Sequence, residues 1–403
     1  MTHTLPGMKI KSLVRGLAMA ALLGAWSAGT GALGADSRRL ATDPGVSAHT
    51  IKLGGVIDQG GRGTIVSKPI LGGYRLAIEQ INAQGGINGR TVDYVAESDN
   101  YDPSQTLPRL RKIVESDKVF AVMGVFGSDD ANVAAPYLEK RQIPFFDPIG
   151  GGADIQGKHW IWQTEPDYGR EGQVMAKYGA KTLHARKVAI LYQVGVGEPQ
   201  VAALKSTLPK LGASLVAQAS YQATDTNLSA QALRLSAAGP DLVILNGTPS
   251  PTALFLQFAK AAGLNPKYGF LANYPMGDPL WIALTGSNGE GVRVSSYADL
   301  TGHNKVAAAY RNAISRYRGE KYSNYGLYGY FNAMLFFLAL KLSGKTPTRS
   351  RLQQVLDTDF RHYDTGFTGR INWTPTQHYG ARQFKIYRIQ GGQFRPVTGW
   401  LSP

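Results

Sequence analysis

The stretch GVFGSDDANVAAPYLEKRQIPFFDPIGGG, residues 124–152, contains a turn, a helix and a strand in one continuous unit. The apolar run VFAVMG (119–124) that leads into it is typical of a buried strand, and IPFFDP (143–148) predicts a second one. Between the two runs, Ser128 is a favoured N-cap residue, and residues 131–141 have the amphipathic pattern of a short helix. The stretch therefore predicts a strand–helix–strand unit and indicates an α/β fold.

The turns that follow these two strands predict a ligand site. Ligands of open α/β sheets bind beyond the carboxyl ends of the strands, where a helix N-terminus offers unpaired N–H groups to an anion such as a carboxylate. Glycine lets the backbone approach a ligand because it has no Cβ. The candidate residues are Gly127, Ser128, Ile149, Gly150 and Gly151. An ordinary helix cap and an ordinary glycine loop are the alternative explanation.

The N-terminus has the pattern of a secretory signal. Basic residues at positions 9, 11 and 15 precede the apolar run GLAMAALLGAW (16–26), and small residues follow up to Ala35. The apolar run is shorter than the ~20 residues of a membrane-spanning helix. We expect residues 1–35 to be a cleaved signal peptide and the mature protein to be periplasmic.

Composition limits the classes of function. A chain of 403 residues with 43% hydrophobic content predicts two or three domains. It has no cysteine, which excludes disulfides, thiolate catalysis and cysteine-bound metal. The net charge is +15, but the basic residues are scattered and no nucleic-acid-binding motif accompanies them, so we expect no nucleic acid partner. No metal or cofactor is predicted.

Strands and helices alternate along the whole chain. The first strand is predicted at residues 51–57 and is followed by a glycine-rich loop and a helix at 68–82. The alternation pauses at Glu165-Pro166-Asp167, a predicted crossover, and restarts at Lys187 in the same style. Such alternation predicts two α/β domains, each with a doubly wound, mostly parallel sheet.

Two later features complete the pattern. Residues 325–342 are apolar on nearly all sides and predict a buried helix. The segments FTGRINW (367–373), QFKIYRIQ (383–390) and GQFRPVT (392–398) predict an antiparallel ribbon at the C-terminus.

Five segments together carry a family resemblance. They are AIEQINAQGGINGRTVDYVAESD (77–99), DPSQTLPRLRKIV (102–114), VMGVFGS (122–128), QIPFFDPIG (142–150) and YGYFNAMLFFLAL (328–340). In combination they resemble the periplasmic solute-binding proteins of ABC transporters, specifically the branched-chain amino acid (leucine/isoleucine/valine) type.

The resemblance implies an architecture and a function. It implies the type I periplasmic binding protein fold, with two lobes joined by three crossovers. The first lobe would comprise residues 46–164 and 300–362, and the second lobe residues 165–299 and 363–400. The protein would be a monomer that closes on a small solute, such as a branched-chain or other hydrophobic amino acid, and delivers it to a membrane permease.

The resemblance also implies site residues. Ser128 matches the family serine whose hydroxyl holds the ligand carboxylate, and Ile149 and Gly151 lie in the turn that supplies the next contacts. Further contacts would come from Asp167, Tyr168, Val196, Gly197, Gly247, Asn273 and Tyr274.

By the same resemblance, Asn273 and Tyr274 lie where an acidic residue can bind the ligand's amino group. An ammonium group is costly to bury without a carboxylate partner. Either Asp129 or Asp167 therefore supplies the charge, or the ligand has no ammonium group. The nearby Tyr168, Tyr192 and Tyr274 also allow an aromatic carboxylate as ligand.

Enzymatic readings fit the sequence less well. Gly195-Val196-Gly197 follows the predicted strand VAILYQ, as in an NAD-dependent oxidoreductase, but Gln200 replaces the third glycine of the dinucleotide motif and Pro199 precedes it. Hydrolase motifs of the Gly-x-Ser-x-Gly and His-Glu-x-x-His types are absent. We predict that the protein is not an enzyme. An exported receptor that serves a sensor is the remaining alternative to transport.

Overall fold

The computed structural model describes residues 43–318 and 321–403, so the predicted signal peptide lies outside the described residues. Strands and helices alternate through the described chain as the sequence predicts. No helix in these two ranges combines the length and the apolar character needed to cross a membrane.

The first five strands, between residues 50 and 162, form a parallel sheet. Its strands are β1 (Thr50–Val56), β2 (Thr91–Glu97), β3 (Ala121–Phe126), β4 (Phe145–Ile149) and β5 (Ile161–Trp162), in the spatial order β2-β1-β3-β4-β5. Its connecting helices are α1 (Thr64–Ala83), α2 (Pro103–Arg111) and α3 (Ser128–Lys140). Every residue of β3 and β4 is buried, as expected for a parallel sheet with both faces covered.

The second sheet has seven strands. They are β6 (Lys187–Gln193), β7 (Ser214–Tyr221), β8 (Leu242–Asn246), β9 (Phe270–Ala272), β10 (Arg293–Ser296), β11 (Lys385–Gln390) and β12 (Gln393–Pro396). The spatial order is β7-β6-β8-β9-β10-β11-β12, parallel up to β10 and antiparallel from there. The helices in this part are α4 (Tyr168–Lys177), α5 (Glu198–Thr207), α6 (Ser229–Ala237), α7 (Pro249–Ala261) and α8 (Pro279–Thr285).

Three helices return to the first sheet after β10. They are α9 (Lys305–Ala313), α10 (Asn324–Leu342) and α11 (Arg349–Thr358). Short π-helical segments extend α2, α4 and α9 at Lys112–Ser116, Tyr178–Thr182 and Ile314–Arg318. Short 3₁₀ segments lie at Pro209–Leu211, Tyr274–Met276 and Gly286–Gly289.

The predicted buried helix is confirmed as α10. It packs closely on α1, because Gly73 of α1 lies against the Gly326 carbonyl and Gly329 of α10 lies against the Ile70 carbonyl. A Cβ at either glycine would clash with backbone, so these positions set how closely the two helices approach. Through this contact the chain returns from the second sheet to the first.

The strand order reverses at one point in each sheet. In the first sheet β1 lies between β2 and β3, and in the second sheet β6 lies between β7 and β8. Such switch points leave a crevice at the carboxyl ends of the strands, where ligands of doubly wound sheets bind. The predicted fold class, two mostly parallel α/β sheets with helices, is confirmed.

Residues beyond 362 also pack on the first sheet. The Trp373 indole N–H donates to the Gln163 carbonyl at 3.0 Å, and its ring lies edge-on to Phe146 with centroids 5.8 Å apart. The lobe limits 46–164 plus 300–362 and 165–299 plus 363–400 stay a prediction.

Three local predictions differ from the structure. Helix α1 begins at Thr64, four residues before the predicted start, because the Asp58 carboxylate accepts the N–H groups of the preceding glycine loop and orders it. Gly127, with φ of 115°, is the N-cap of α3, and Ser128 is the first helical residue. Residues 367–373 are not part of the ribbon, since Ile371 makes only isolated bridges with Tyr363 and Ala381.

Candidate functional site

A cavity lies where the carboxyl ends of the strands of both sheets come together, with ≈ 850 Å³ of empty space if its open mouth is included. Its walls come from the segments that follow β3, β4, β6, β8, β9 and β10, and from α1, α4 and α10. Small-molecule sites in proteins are concave, with mostly apolar walls and a few polar groups. The cavity therefore has the position and the mostly apolar lining of a site for a small solute.

Most of the predicted site residues line this cavity. They are Gly127, Ser128, Ile149, Gly150, Tyr168, Val196, Gly247 and Tyr274. Gly151, Asp167, Gly197 and Asn273 are not part of the lining, and neither are Asp129 and Tyr192. The structure thus brings together residues that lie up to 147 positions apart, between Gly127 and Tyr274.

Each predicted residue outside the lining has another place. The Asp167 carboxylate caps α4 by accepting the Arg170 N–H at 2.8 Å, and it also pairs with the Arg170 guanidinium. Gly151 accepts the Tyr168 N–H at 2.8 Å through its carbonyl. Gly197 is the N-cap of α5. Asn273 is fully buried, and its side-chain Oδ1 and Nδ2 have no hydrogen-bond partner among the described residues.

Ser128 joins the two glycine turns of the first sheet. Its hydroxyl oxygen accepts the Gly152 N–H at 3.1 Å, which leaves the hydroxyl hydrogen available for a ligand oxygen. The first N–H groups of a helix lack intrahelical partners, and here they lie at the cavity. Gly150 has φ of 138°, and a Cβ on it would lie 2.6 Å from Ser128 Oγ, so only glycine fits beside this serine.

Glu165 lines the cavity but is absent from the residues that the sequence predicts. It is 4% exposed, and its Oε2 accepts the Gly150 N–H at 3.0 Å and the Tyr274 hydroxyl at 2.7 Å. Burial, with a smaller contribution from the charge of Asp147, raises the pKa of Glu165 to about 8, against the opposing effect of these hydrogen bonds. A carboxyl group with this pKa holds its proton at neutral pH.

A second buried carboxyl, Asp147, lies close behind Glu165. The hydroxyls of Tyr74 and Tyr328 donate to its two oxygens, and burial raises its pKa to about 6. Asp147 has φ of 62° within β4, and its neighbour in β3, Gly124, has φ of 87°. At this paired irregularity Gly124 and Asp147 do not pair, although the register is the same on both sides, at Met123–Phe146 and at Val125–Pro148.

Four tyrosines surround Glu165, and the side chain of each adjoins that of the next. We call this group of four residues the tyrosine ring (Tyr168, Tyr274, Tyr297 and Tyr328). Ring centroids of Tyr168 and Tyr274 are 5.2 Å apart, those of Tyr274 and Tyr297 are 5.0 Å apart, and those of Tyr297 and Tyr328 are 6.3 Å apart. All four residues line the cavity. This part of the cavity wall is therefore aromatic.

The cavity has acidic side chains and no basic ones. Among the described residues that line it, Glu165 and Asp299 have carboxyl groups, and there is no Lys, Arg or His. No group of three or more His, Asp or Glu in the described chain could hold a metal ion.

Contacts between the two sheets' segments close the sides of the cavity. The Gln193 side-chain amide donates to the Tyr101 hydroxyl at 3.3 Å, and the Tyr325 hydroxyl donates to the Pro275 carbonyl at 2.7 Å. A ligand in the cavity would therefore touch elements of both sheets.

A family model described as periplasmic binding protein matches residues 50–393. The chain belongs to the periplasmic binding protein family. This is a family of binding proteins, not of enzymes, and the match covers both sheets. The expected family resemblance is thereby confirmed.

Relatives within the periplasmic binding protein family are distant. The chain is 27% identical over 273 residues to the Leu/Ile/Val-binding protein homolog 7 of Brucella suis, which covers 64% of each protein. The chain thus spans less than two thirds of that relative's length.

Solved structures share the fold. A branched-chain amino acid ABC transporter protein from Thermus thermophilus with bound valine has a TM-score of 0.79 and 19% identity, covering 88% of this chain and 97% of that one. A fatty acid ABC transporter substrate-binding protein from Thermomonospora curvata also has a TM-score of 0.79, with 20% identity, covering 90% and 95%. Since the two proteins are named for different solutes, the fold alone leaves the solute open.

Within this family fold the Gly195-Val196-Gly197 segment has a clear place. It is the loop between β6 and α5, and Val196 contributes an apolar side chain to the cavity wall. The oxidoreductase interpretation of these glycines is therefore not needed.

Proposed function

We propose that the protein is an exported receptor that captures a small carboxylate-bearing solute between its two lobes and delivers it to an ABC transporter permease. The observation that carries this proposal is the cavity at the carboxyl ends of both sheets, with Ser128 and the start of α3 on one side and aromatic walls around it. The cavity suits a branched-chain or other hydrophobic amino acid, and the names of the relatives support that class.

The cellular context belongs to the same proposal. We expect a periplasmic monomer without its signal peptide. Its lobes would close by a hinge motion about the linker segments 164–167, 296–301 and 362–366. An aromatic acid as ligand, and a sensor as the partner in place of a permease, are the alternatives.

The test is Ser128→Ala in the mature protein. A thermal-shift screen with hydrophobic amino acids and aromatic acids first identifies a ligand, because a ligand that binds only the folded state raises its stability. Loss of a charge-assisted hydrogen bond from the Ser128 hydroxyl to a carboxylate should then weaken affinity about ten- to a hundredfold in calorimetric titration.

Ser229→Ala is the matched control, because Ser229 is also the first residue of a helix, α6, and is not part of the cavity lining. It should leave the affinity unchanged. An unchanged dissociation constant in a folded Ser128→Ala protein would remove Ser128 from the binding site and would contradict the proposed carboxylate contact.

A further inference from the structure

We propose that the solute carries an organic ammonium group, which Glu165 binds inside the tyrosine ring in exchange for the proton of its own carboxyl group. This inference rests on the proposed receptor function and specifies the chemical class of the solute. It also assigns the charge partner that the sequence left open between Asp129, Asp167 and a solute without an ammonium group.

The first support is the sign of the charges around the cavity. The lining includes the carboxyl groups of Glu165 and Asp299, Asp147 lies behind Glu165, and the described lining has no cationic side chain. A solute with only a negative charge would therefore find no positive side chain of the described lining to pair with. A solute with a positive group would meet its complement there.

The second support is the surroundings of Glu165 itself. It is 4% exposed, and its hydrogen-bond donors are neutral: the Gly150 N–H and the Tyr274 hydroxyl. Burying a carboxylate without a charged partner is costly, so the group stays protonated until a cation arrives. Asp129 and Asp167 are not part of the lining, and the Asp167 carboxylate is already paired with Arg170.

The third support is the aromatic wall. Organic cations are attracted to the faces of tyrosine rings within about 6 Å, in addition to any ion pair. The four members of the tyrosine ring adjoin one another around the Glu165 carboxyl, so an ammonium group there would have both a carboxylate and π-faces as neighbours.

The exchange balances in atoms and charge. The Glu165 O–H bond breaks, the proton passes to solvent, and the resulting carboxylate pairs with the ammonium group, which keeps its own hydrogens. The titratable groups that face Glu165 are Asp147 from β4, Glu171 from α4 and the four tyrosines of the tyrosine ring. All of them are acids, so none supplies a positive charge in place of the solute.

The experiment uses two matched series of probes on the mature protein. One series is leucine, 3-methylbutylamine and 4-methylpentanoate, and the other is phenylalanine, 2-phenylethylamine and 3-phenylpropanoate. In each series the second compound lacks the carboxylate and the third lacks the ammonium group. We expect calorimetry to show binding of an amino acid or its amine, with the corresponding acid at least about thirtyfold weaker, since a buried charge pair is worth 2 kcal/mol or more.

The variants are Glu165→Gln and, as control, Asp129→Asn. Glutamine preserves the shape of the side chain and can still accept from Gly150 and Tyr274. Glu165→Gln should weaken binding of the ammonium-bearing probe at least about thirtyfold, whereas Asp129→Asn should keep the wild-type affinity. Circular dichroism checks that both variants are folded.

Proton release on binding distinguishes a direct contact from an indirect one, because it would not be observed if Glu165 had only a structural role. At about pH 7, titrations in two buffers of different ionisation enthalpy should show release of protons on binding of the cation, up to about one per site, because Glu165 with a pKa of about 8 is mostly protonated before binding. Glu165→Gln should abolish this release, and Asp129→Asn should retain it.

Each contrary outcome has its own meaning. Equal binding of the acid and the amino acid, or wild-type affinity in folded Glu165→Gln, would overturn the ammonium inference and leave the receptor function standing. Binding of no compound of either series by the folded wild-type protein would overturn both.

Discussion

Replacing Glu165 by glutamine should change how the stability of the ligand-free protein depends on pH. Burial holds the pKa of this carboxyl group at about 8 in the folded protein, against the ordinary value of 4.5 in an unfolded chain. Between these values the folded protein keeps a proton that the unfolded chain releases. The stabilising effect of that proton is fully present below about pH 4.5 and is lost as the pH rises towards 8.

The magnitude follows from the two pKa values. Acidification from about pH 8 to about pH 5.5 should raise the free energy of unfolding of the wild-type protein by about 3 kcal/mol through Glu165 alone. Asp147 and Glu171, whose pKa values burial also raises, contribute in the same direction in both proteins. The difference between wild type and Glu165→Gln therefore isolates the contribution of Glu165.

The assay is urea unfolding of the mature wild-type and Glu165→Gln proteins at both pH values. The two should have similar stability at the lower pH, where protonated glutamate and glutamine are alike in charge and shape. At the higher pH the variant should be more stable by up to about 3 kcal/mol. A variant with the same pH dependence as the wild type would show that Glu165 is ionised in the folded protein at neutral pH, and would refute this reasoning.

Three further predictions concern the turn, the lobes and the N-terminus. The control Gly157→Ala should lower the free energy of unfolding by about 1 kcal/mol, and Gly150→Ala should lower it by at least twice as much. Both glycines have positive φ, but only at Gly150 would the new Cβ lie within 3.0 Å of Ser128 atoms. Urea unfolding measures both changes. Saturating ligand should reduce the radius of gyration in small-angle scattering, and an unchanged radius would contradict closure. Mass analysis of the exported protein should find its first residue near Ala35 or Asp36, and an intact Met1 would exclude cleavage.

Local sequence patterns were sufficient for most of the fold. The apolar runs that become β3 and β4 are buried along their whole length, and the all-round apolar pattern of residues 325–342 becomes α10. In contrast, residues 367–373 have strand-like composition but form only isolated bridges, because their partners lie in other loops. Composition predicts a preference for extended backbone, whereas pairing depends on the neighbours that the tertiary fold provides.

The residues of the candidate site also differ in whether the local sequence predicts them. Ser128, Gly127 and Gly150 could be identified because turn residues at strand ends carry a local signal. Glu165 carries none, since a glutamate followed by proline is typical of an exposed turn. Its burial depends on Tyr274, which lies 109 residues further along the chain. The one indirect hint was that Glu165 follows closely on the apolar residues WIW (160–162), which include the buried strand β5.

The place of Glu165 between the two sheets links recognition of charge to the contact between them. Its Oε2 atom accepts one hydrogen bond from Gly150, which follows β4, and another from Tyr274, which follows β9. Hydrogen bonds to an ionised acceptor are roughly twice as strong as those to a neutral one. A ligand that displaces the Glu165 proton would therefore strengthen both bonds at once. A neutral or anionic ligand would leave them unchanged. A ligand can shift the equilibrium towards the closed state only if it binds the closed state more tightly than the open state. The strengthening of these two hydrogen bonds would provide such a difference in affinity for a cation.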